Sequence, residues 1–457
     1  MAGRQPHARS LSVWANGRRV ALWRLPARGT AELIYDDAWV GSDEARPLSL
    51  SLPIQLDGAP LKGDAVMNYF DNLLPDSEAI RRRIAQRFQT DSLDAFDLLQ
   101  AIGRDCVGAV QLLAEDESPA GVGTIEGTPL TDQDVAHLLG QVAGGPPFGT
   151  DDDDDFRISL AGAQEKTALL RHDGRWLKPH GATPTTHILK LPLGLVGNRR
   201  ADLTTSVENE WLCMRLLQAF GSPVANVEIA TFGERRVLVV ERFDRRLHPG
   251  GEWILRLPQE DFCQVNALPP HKKYEQDGGP GVIDLARVLQ QSSRARGDIE
   301  TLITSQILFW LLAAPDGHAK NFSIHLLRGG QYRLTPLYDV MSIWPVEGDG
   351  ANQWSWYKTK LAMAIPGKTR HYALRDIQRR HFNAMALKCG YGESAEPIIE
   401  RIIGRTPAVI DEVAAQLPGN FPHRVAERIF AGMRKSLAAL EAMPAAETSN
   451  LLGDQQA

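Results

Sequence analysis

The stretch that most constrains the fold is an apolar run that ends in a cluster of polar residues. Residues 307–314, Ile-Leu-Phe-Trp-Leu-Leu-Ala-Ala, lead through Pro315 into the hexapeptide Asp316-Gly-His-Ala-Lys-Asn321. An apolar run of this kind is buried, so it delivers the polar cluster to a fixed place beside the core. The cluster is therefore the first candidate for a functional site.

A Gly-Gly pair at 329–330 follows the cluster and predicts a β-hairpin. A hairpin symmetric about this pair places Asp339 opposite Lys320, one residue from Asn321. Asp339 and Asn321 carry the oxygen ligands that Mg²⁺ prefers, and Asp316 can accept or orient a hydroxyl proton. Taken singly, Asp316-Gly is more often a turn and Asp339 a capping residue. Their joint spacing favours a site for phosphoryl transfer.

Length and composition describe a protein of several units without a broad attraction for nucleic acid. At about 150 residues per domain, the 457 residues predict about three units. The net charge is -6 and the pI is near 6.1. Four widely spaced cysteines, without a Cys-x-x-Cys pair, argue against a structural zinc or a disulfide framework. The N-terminus lacks an apolar signal core and the run at 307–314 is too short for a bilayer, so we expect a cytoplasmic protein without membrane association.

Patterning along the chain predicts an α+β protein. An Asn16-Gly17 hairpin opens it, and helix-like patterns follow at 281–293, 298–314, 372–389, 395–416 and 422–442. The predicted parts are an N-terminal α+β subdomain, a linker with the acidic run Asp151–Asp155, a β-rich small lobe, an all-helical large lobe and a disordered tail (residues 1–115, 116–155, 156–245, 246–443 and 444–457).

The small lobe offers a loop that suits phosphate. In Ser159-Leu-Ala-Gly-Ala163, small side chains between two predicted strands let backbone N–H groups approach phosphate oxygens. The loop matches neither common glycine-rich phosphate signature, and an ordinary tight hairpin has the same composition.

A lysine and a glutamate form a predicted ion pair in the same lobe. Lys190 lies among apolar residues of a predicted strand, and Glu210 falls inside the apolar stripe of the next helix, whereas Glu208 points away. Thr205 and Glu208 also fit a capping box. A carboxylate facing a core must be paired, and Lys190 is the predicted partner, as in the pair that fixes a kinase lysine on ATP phosphates. A surface glutamate is the alternative.

A strand exit offers a further binding feature. The apolar strand 236–241 ends at Glu241, and the backbone groups of Glu241 and Phe243 can pair with an adenine edge. Any strand exit offers such groups, so only its position favours this one.

Seven segments together resemble the HipA family, the kinase toxins of bacterial toxin–antitoxin pairs, over nearly the whole chain. They are Ala-Arg-Pro-Leu-Ser-Leu-Ser-Leu-Pro (45–53), Phe-Asp-Asn-Leu-Leu-Pro-Asp (70–76), Ile-Ser-Leu-Ala-Gly-Ala-Gln-Glu-Lys-Thr-Ala (158–168), Val-Glu-Arg-Phe-Asp-Arg-Arg (240–246), Leu-Pro-Gln-Glu-Asp (257–261), Asp-Gly-His-Ala-Lys-Asn-Phe-Ser (316–323) and Leu-Thr-Pro-Leu-Tyr-Asp (334–339).

The resemblance implies a serine/threonine protein kinase that uses ATP and Mg²⁺. Its expected fold is two-lobed, protein-kinase-like and related to phosphoinositide kinases, with an extra N-terminal subdomain on the small lobe. By resemblance Asp316 is the catalytic base, Asn321 and Asp339 hold Mg²⁺, Lys190 contacts phosphates, and Ser159 is the autophosphorylated serine. The other expected nucleotide-binding residues are Leu160, Ala161, Gly162, Ala163, Glu241, Phe243, Gln259, His318, Lys320 and Tyr338.

The resemblance also implies partners and a role in the cell. Members of the family are neutralised by a small helix-turn-helix antitoxin, HipB, and the complex represses its own operon on operator DNA. Their targets resemble aminoacyl-tRNA ligases, glutamyl-tRNA ligase in the best-matching branch, and phosphorylation stalls translation and favours growth arrest and persistence.

Two departures and two alternatives accompany the resemblance. The acidic run Asp151–Asp155 is an insertion, and Pro315 restricts Ala314 to extended geometry, which bears on the aim of Asp316. One alternative is a catalytically weak binding protein that serves as corepressor. The other is a small-molecule phosphotransferase.

Overall fold

The computed structural model describes residues 8–142, 158–162, 164–197 and 200–445. The acidic run Asp151–Asp155, Ala163 and residues 446–457 of the predicted tail lie outside the described residues. The chain divides into two compact units. Unit 1 comprises Met1–Leu191, Ala230–Lys273 and Ser323–Tyr332, and unit 2 comprises Pro192–Ile229, Tyr274–Phe322 and Arg333–Ala457.

The first part of unit 1 is a sheet covered by helices. Its elements are β1 (Arg9–Ala15), β2 (Arg18–Leu25), β3 (Glu32–Tyr35), α1 (Asp37–Val40), β4 (Leu61–Lys62), α2 (Asp64–Asp71), α3 (Glu78–Phe88), α4 (Ala95–Ile102) and β5 (Gln111–Ala114). The antiparallel strands lie in the order β4-β3-β2-β1-β5. The predicted hairpin is confirmed: Asn16 and Gly17 join β1 to β2 with φ of 50° and 79°, as a type I′ turn requires.

A second, six-stranded sheet follows. The next elements are β6 (Gly127–Leu130), α5 (Asp132–Val142), β7 (Lys166–His172), β8 (Arg175–Pro179), β9 (His187–Lys190), β10 (Gly194–Val196), β11 (Ala201–Leu203), α6 (Ser206–Ala219), β12 (Val227–Phe232), β13 (Arg235–Glu241), β14 (Arg245–Leu247), β15 (Ile254–Arg256) and β16 (Gln259–Asp261). The sheet has the order β12-β13-β9-β7-β8-β6. The prediction of a linker over 116–155 is wrong for β6 and α5. Strand β6 belongs to the sheet, and Val135 and Leu139 of α5 are buried in the core beside it.

The remaining elements are mainly helical. They are α7 (Phe262–Val265), α8 (Val282–Leu289), α9 (Ala295–Leu312), β17 (Ser323–Leu326), β18 (Tyr332–Leu334), β19 (Lys360–Pro366), β20 (Arg370–Ala373), α10 (Arg379–Lys388), α11 (Glu396–Ala414) and α12 (His423–Ala442). Of the described residues, no helix has the length and apolar character needed to cross a membrane.

Two details of the sequence prediction need correction in this region. The large lobe is not all-helical, because residues 246–443 also contain short strands, and β16, β17 and β18 form a three-stranded sheet. The helix predicted at 372–389 begins only at Arg379, because the preceding residues belong to β20 and a 3₁₀ turn. Strands of three or four residues are too short to display an alternating pattern in the sequence.

The Gly-Gly turn forms as predicted, with its register shifted. Gly329 and Gly330 have φ of 67° and 70°. Leu327 N–H donates to the Gln331 carbonyl at 2.8 Å, so the turn is centred on Gly329 and not between the two glycines.

Candidate active site

The base of the candidate site is the end of α9 in unit 2. After the helix, Ala313 adopts a left-handed φ of 47°, and Ala314 N–H donates to the Phe309 carbonyl at 2.8 Å. Such a C-terminal turn ends a helix abruptly. The Pro315 carbonyl then accepts a hydrogen bond from Ala362 N–H at 2.8 Å, and Asp316 follows with an exposed side chain. Hydrogen bonds therefore hold both of the residues that lead into Asp316.

Asn321 brings the two predicted acids together. Its Nδ2 donates to the Asp316 carbonyl at 2.8 Å and to the Asp339 carbonyl at 3.4 Å. Asp339 has a left-handed φ of 61°, which a non-glycine residue adopts rarely and mostly where its surroundings impose it. The predicted convergence of Asp316, Asn321 and Asp339 is therefore present in unit 2.

The other predicted residues of this motif support the same loop. His318 N–H donates to the Asp316 carbonyl at 2.8 Å, and Asn321 N–H donates to the His318 carbonyl at 2.9 Å. The Tyr338 hydroxyl donates to the Lys320 carbonyl at 2.8 Å, which ties the segment before Asp339 to the motif. His318 and Lys320 are buried, at 5% and 6% exposure.

Helix α6 holds the segment after Asp339. Asn209 Nδ2 donates to the Ser342 carbonyl at 2.7 Å, and Ser342 N–H donates to Asn209 Oδ1 at 2.9 Å. The Ser342 hydroxyl also donates to the Leu312 carbonyl at the end of α9. Asn209, a residue that sequence reasoning missed, thereby fixes the position of Asp339 through the backbone.

The sequence prediction for α6 itself is wrong in two respects. Thr205 is the N-cap residue but makes no side-chain capping bond, so the capping box is absent. Glu208 does not point into solvent: it is 5% exposed, and Glu210 is 2% exposed. The cause is that α6 packs on α11 and α12 and is buried nearly all round. The ion pair between Lys190 and Glu210 stays a prediction.

Unit 1 carries the predicted phosphate-binding residues. Lys190 of β9 is 6% exposed and lies directly opposite Lys166 of β7. Residues directly opposite on neighbouring strands share one face, so two ammonium groups occur on the same side of the sheet. Sequence reasoning missed Lys166, because the strand pairing that places it beside Lys190 is not visible in a linear pattern. Two cations on one face favour an anion there.

The loop around Ser159 is packed on the N-terminal sheet domain. Ser159 is fully buried, its hydroxyl donates to the Leu73 carbonyl at 2.8 Å, and its N–H donates to the Asp105 carbonyl at 3.1 Å. Gly162, with φ of 106°, has a carbonyl that accepts from Asp76 N–H at 3.0 Å. A side chain at Gly162 would meet the Lys166 ammonium, at 2.6 Å from a Cβ, so glycine permits this close approach. Leu160 is buried and Ala161 is half-buried.

The fit of a nucleotide to unit 1 can be tested at Gln259. Its side-chain Oε1 is buried and accepts no hydrogen bond from the described residues, although buried polar atoms are normally paired. Phe243 lies edge-on to His325, the residue opposite Gln259, with ring centroids 5.7 Å apart. Glu241 ends β13 with an exposed side chain. An unsatisfied acceptor beside aromatic rings fits a base or ribose that supplies a donor.

Comparison with known proteins identifies the family. The model of the HipA N-terminal domain matches residues 11–113, and that of the HipA-like C-terminal domain matches residues 158–410. The chain belongs to the HipA family. The putative kinase Y4mE of Sinorhizobium fredii is 36% identical to it over 338 residues, which cover 73% of this chain and 77% of that protein.

Two further HipA comparisons concern Shewanella oneidensis. Its serine/threonine-protein kinase toxin HipA is 28% identical over 386 residues, covering 81% of this chain and 82% of the toxin. The solved complex of HipA, HipB and operator DNA from strain MR-1 matches with a TM-score of 0.77 at 23% identity, over 95% of this chain and 98% of that chain. The predicted α+β kinase-like fold class and the predicted enzyme class, a serine/threonine-protein kinase, are confirmed.

In this HipA chain, a buried network of charges joins the N-terminal domain to the segment after β13 and to the strands β14 and β15. Asp105 contacts Arg242, Arg245 and Arg256, all 2% exposed at their side chains. Burial alone would raise the pKa of Asp105, but the three guanidinium groups, Arg256 foremost, hold this pKa well below its usual value. The network fixes the chain that follows Glu241.

The same network closes over a glycine of the N-terminal domain. Asp244 accepts from Gly108 N–H at 2.7 Å, and Arg245 donates to the Gly108 carbonyl at 2.7 Å. Gly108 has φ of 75°, and a Cβ there would lie 2.8 Å from the Gln259 carbonyl oxygen. The segment that follows β13 and the residue Gln259 therefore both pack against the turn at Gly108.

Proposed function

We propose that this chain transfers the γ-phosphoryl group of ATP to a serine or threonine hydroxyl of a protein, as the toxin of a toxin–antitoxin pair. The observation that carries the proposal is the Asn321 amide, which holds the backbones of Asp316 and Asp339 together. A hydroxyl-proton acceptor and a metal-binding carboxylate are then fixed relative to one another, as phosphoryl transfer requires.

Each residue has a role in this proposal. The Asp316 carboxylate accepts or orients the proton of the acceptor hydroxyl, and its exposed position leaves it accessible to a macromolecular acceptor. Asp339 and Asn321 would provide oxygen ligands for Mg²⁺. When bound, ATP would supply the phosphoryl group, and Mg²⁺ would neutralise part of the phosphate charge.

Unit 1 is proposed to bind the nucleotide. Lys190 and its neighbour Lys166 contact phosphate oxygens, together with the backbone of 160–163. The backbone of Glu241 and Phe243 meets the adenine edge, and the buried Gln259 Oε1 receives a donor from the nucleotide. In unit 2, His318, Lys320 and Tyr338 are the further residues that we propose for nucleotide contact, and their bonds within the catalytic loop keep Asp316 and Asn321 in place.

We further propose that Ser159 is autophosphorylated. Its hydroxyl is bonded to the Leu73 carbonyl and has no exposure, so it must leave this position to receive a phosphate. A phosphate carries nearly two negative charges and cannot occupy the same space against a carbonyl oxygen. The modified loop therefore stays away from its packed position, and ATP binding declines.

The proposed partners follow from the family relatives. The Shewanella complex contains HipB and operator DNA, and for this chain we propose a small helix-turn-helix antitoxin that binds operator DNA with it. The proposed acceptor is an aminoacyl-tRNA ligase, glutamyl-tRNA ligase first, in the cytoplasm.

The test uses purified full-length protein, Mg²⁺, labelled ATP and glutamyl-tRNA ligase, with Asp316→Asn as the inactive variant. We expect label on Ser159 and on the ligase, and a loss of at least 100-fold with the variant. Asp411→Asn, an exposed aspartate of α11, is the matched control and retains activity. An unlabelled protein fraction, or an Asp316→Asn variant as active as the parent, would contradict the proposal. Label on a sugar hydroxyl alone would instead indicate a small-molecule phosphotransferase.

A further inference from the structure

Tyr274 lies against the candidate catalytic base. Its hydroxyl donates to Asp316 Oδ1 at 2.7 Å, across 42 residues of sequence. Among the described residues, this phenol is the one group that hydrogen-bonds the Asp316 carboxylate. We propose that Tyr274 is a positioning residue for phosphoryl transfer, holding the carboxylate by Oδ1 so that Oδ2 meets the acceptor hydroxyl. The proposal rests on the proposed function.

The need for such a contact follows from the exposure of Asp316. An exposed aspartate side chain rotates among several rotamers, and only some of them aim an oxygen at an acceptor. The backbone of the loop is held by Asn321 and His318, but those bonds reach the Asp316 carbonyl and not its carboxylate. A hydrogen bond from a neutral donor to a carboxylate is short and strong, so the phenol selects one orientation.

The tyrosine is itself fixed in place. Its ring packs edge-on against the His318 ring, with centroids 5.1 Å apart and an interplanar angle of 82°. Its carbonyl accepts from Asp277 N–H at 3.0 Å and from Gly279 N–H at 2.9 Å. The phenol therefore approaches Asp316 from a turn that is closed by its own backbone bonds.

Strand β19 fastens both members of the pair. Ala362 N–H donates to the carbonyl of Pro315, the residue before the base, at 2.8 Å. Ala364 N–H donates to the carboxylate of Glu275, the residue after the tyrosine, at 2.6 Å. Backbone N–H groups of residues two apart on a strand point to the same edge of that strand. One edge of one strand thus sets the separation between Tyr274 and Asp316, which indicates a built arrangement and not a chance surface contact.

Two variants separate the hydroxyl from the ring. Tyr274→Phe retains the packing against His318 and removes only the donor, whereas Tyr274→Leu removes both. We expect Tyr274→Phe to lower kcat by about 10- to 100-fold, the scale of a misplaced catalytic group, with KM for ATP unchanged. Melting of the Phe variant is expected to match the parent, and Tyr274→Leu is expected to melt earlier.

A double-mutant cycle tests whether Tyr274 acts through Asp316. In an Asp316→Asn background the Phe substitution is expected to cause no further loss, because the orientation of a non-basic amide is without consequence. Residual transfer is measured by single-turnover mass spectrometry of the phosphorylated protein. The matched control is Tyr391→Phe, a tyrosine hydrogen-bonded to Glu300 within unit 2, which is expected to leave kcat unchanged.

The outcomes distinguish this proposal from the function on which it rests. An active parent with an unchanged kcat for Tyr274→Phe overturns the positioning role alone. A faster Tyr274→Phe variant also overturns it, because the phenol would then obstruct the acceptor. An equal loss in the Asp316→Asn background shows that Tyr274 acts elsewhere. A parent without phosphoryl transfer overturns the proposed function, and this proposal with it.

Discussion

Glu260 is a fully buried carboxyl group in β16. Its side chain accepts from Leu50 N–H at 2.8 Å and contacts the Ser49 hydroxyl. Burial raises its pKa to about 8, against the opposing effect of these two hydrogen bonds and with a small contribution from Asp261. The group is thus mostly protonated in the folded protein at neutral pH, and it can donate to Ser49 as well as accept from Leu50.

Glu260 should make the folded state sensitive to alkaline pH. In the unfolded chain its pKa is near 4.5, so its neutral form stabilises the fold fully below pH 4.5, and this contribution is lost as pH rises toward 8. The Glu260→Gln variant mimics the neutral form. We expect its free energy of unfolding to rise by roughly 2–5 kcal/mol relative to that of the parent when the pH is raised from 5 to 8. Chemical denaturation at the two pH values measures this difference.

The control for this prediction is Glu234→Gln, which changes an exposed glutamate in the same unit. It should have little effect on the free energy of unfolding at either pH value. A constant difference between the Glu260→Gln variant and the parent at pH 5 and pH 8 would show that Glu260 is ionised in the folded protein.

At the residue scale, the sequence reveals what lies within one stretch. Asp316 and Asn321 are five residues apart, and a visible turn brings Asp339 back, so their convergence was predictable. Tyr274 and Asp105 contact partners more than 40 and 130 residues away. No periodicity or turn signal links such positions, because tertiary packing alone brings them together.

Asn209 couples two elements through one amide. It is 1% exposed in α6, and both of its side-chain groups bond the backbone of Ser342, three residues after Asp339. We expect Asn209→Ala to lower the free energy of unfolding by about 2–4 kcal/mol, because it leaves a buried N–H and a buried carbonyl without partners. Phosphoryl transfer should fall as well, because Asp339 loses its anchor. Urea unfolding and the kinase assay measure the two effects.

A matched control is Asn266→Ala. Asn266 makes a single side-chain bond to a helix carbonyl, that of Phe262, and is exposed. The Asn266→Ala substitution should lower the free energy of unfolding by less than Asn209→Ala does, and phosphoryl transfer should be retained. Equal losses for the two variants would argue against the anchoring role of Asn209.

Elements with strong local signals were predictable and others were not. The long helices α11 and α12 have apolar residues at helical spacing, and Ser77 caps α3 by accepting from Ile80 N–H. Helix α6 shows the limit: Thr205 and Glu208 read as a capping box, yet the helix is buried all round, so side-chain direction is set by neighbours and not by local pattern. Strands β14 to β18 are three or four residues long and exist through their pairing alone.

At the scale of the whole molecule, the N-terminal family domain and part of the C-terminal one lie in the same compact unit. The buried network of Asp105 with three arginines joins residues matched by the N-terminal domain model to residues matched by the C-terminal one. Such networks are sensitive to removal of one member, because the remaining charges stay buried without compensation.

Asp105→Asn should therefore destabilise the chain by about 3–5 kcal/mol. The control Asp94→Asn removes an exposed aspartate of the same domain, which makes no side-chain capping bond, and should be nearly neutral. Differential scanning calorimetry of both variants measures the effect. If Asp105→Asn melts with the parent, the two domains are held together by other contacts.

The buried position of Ser159 also has a consequence for timing. Under the autophosphorylation proposed above, the Ser159 hydroxyl, which donates to the Leu73 carbonyl, must first leave its packed position. The packing of the loop on the N-terminal domain would then set how often this hydroxyl is exposed, and so how long a molecule stays unmodified. A phosphatase would be needed to restore the packed loop.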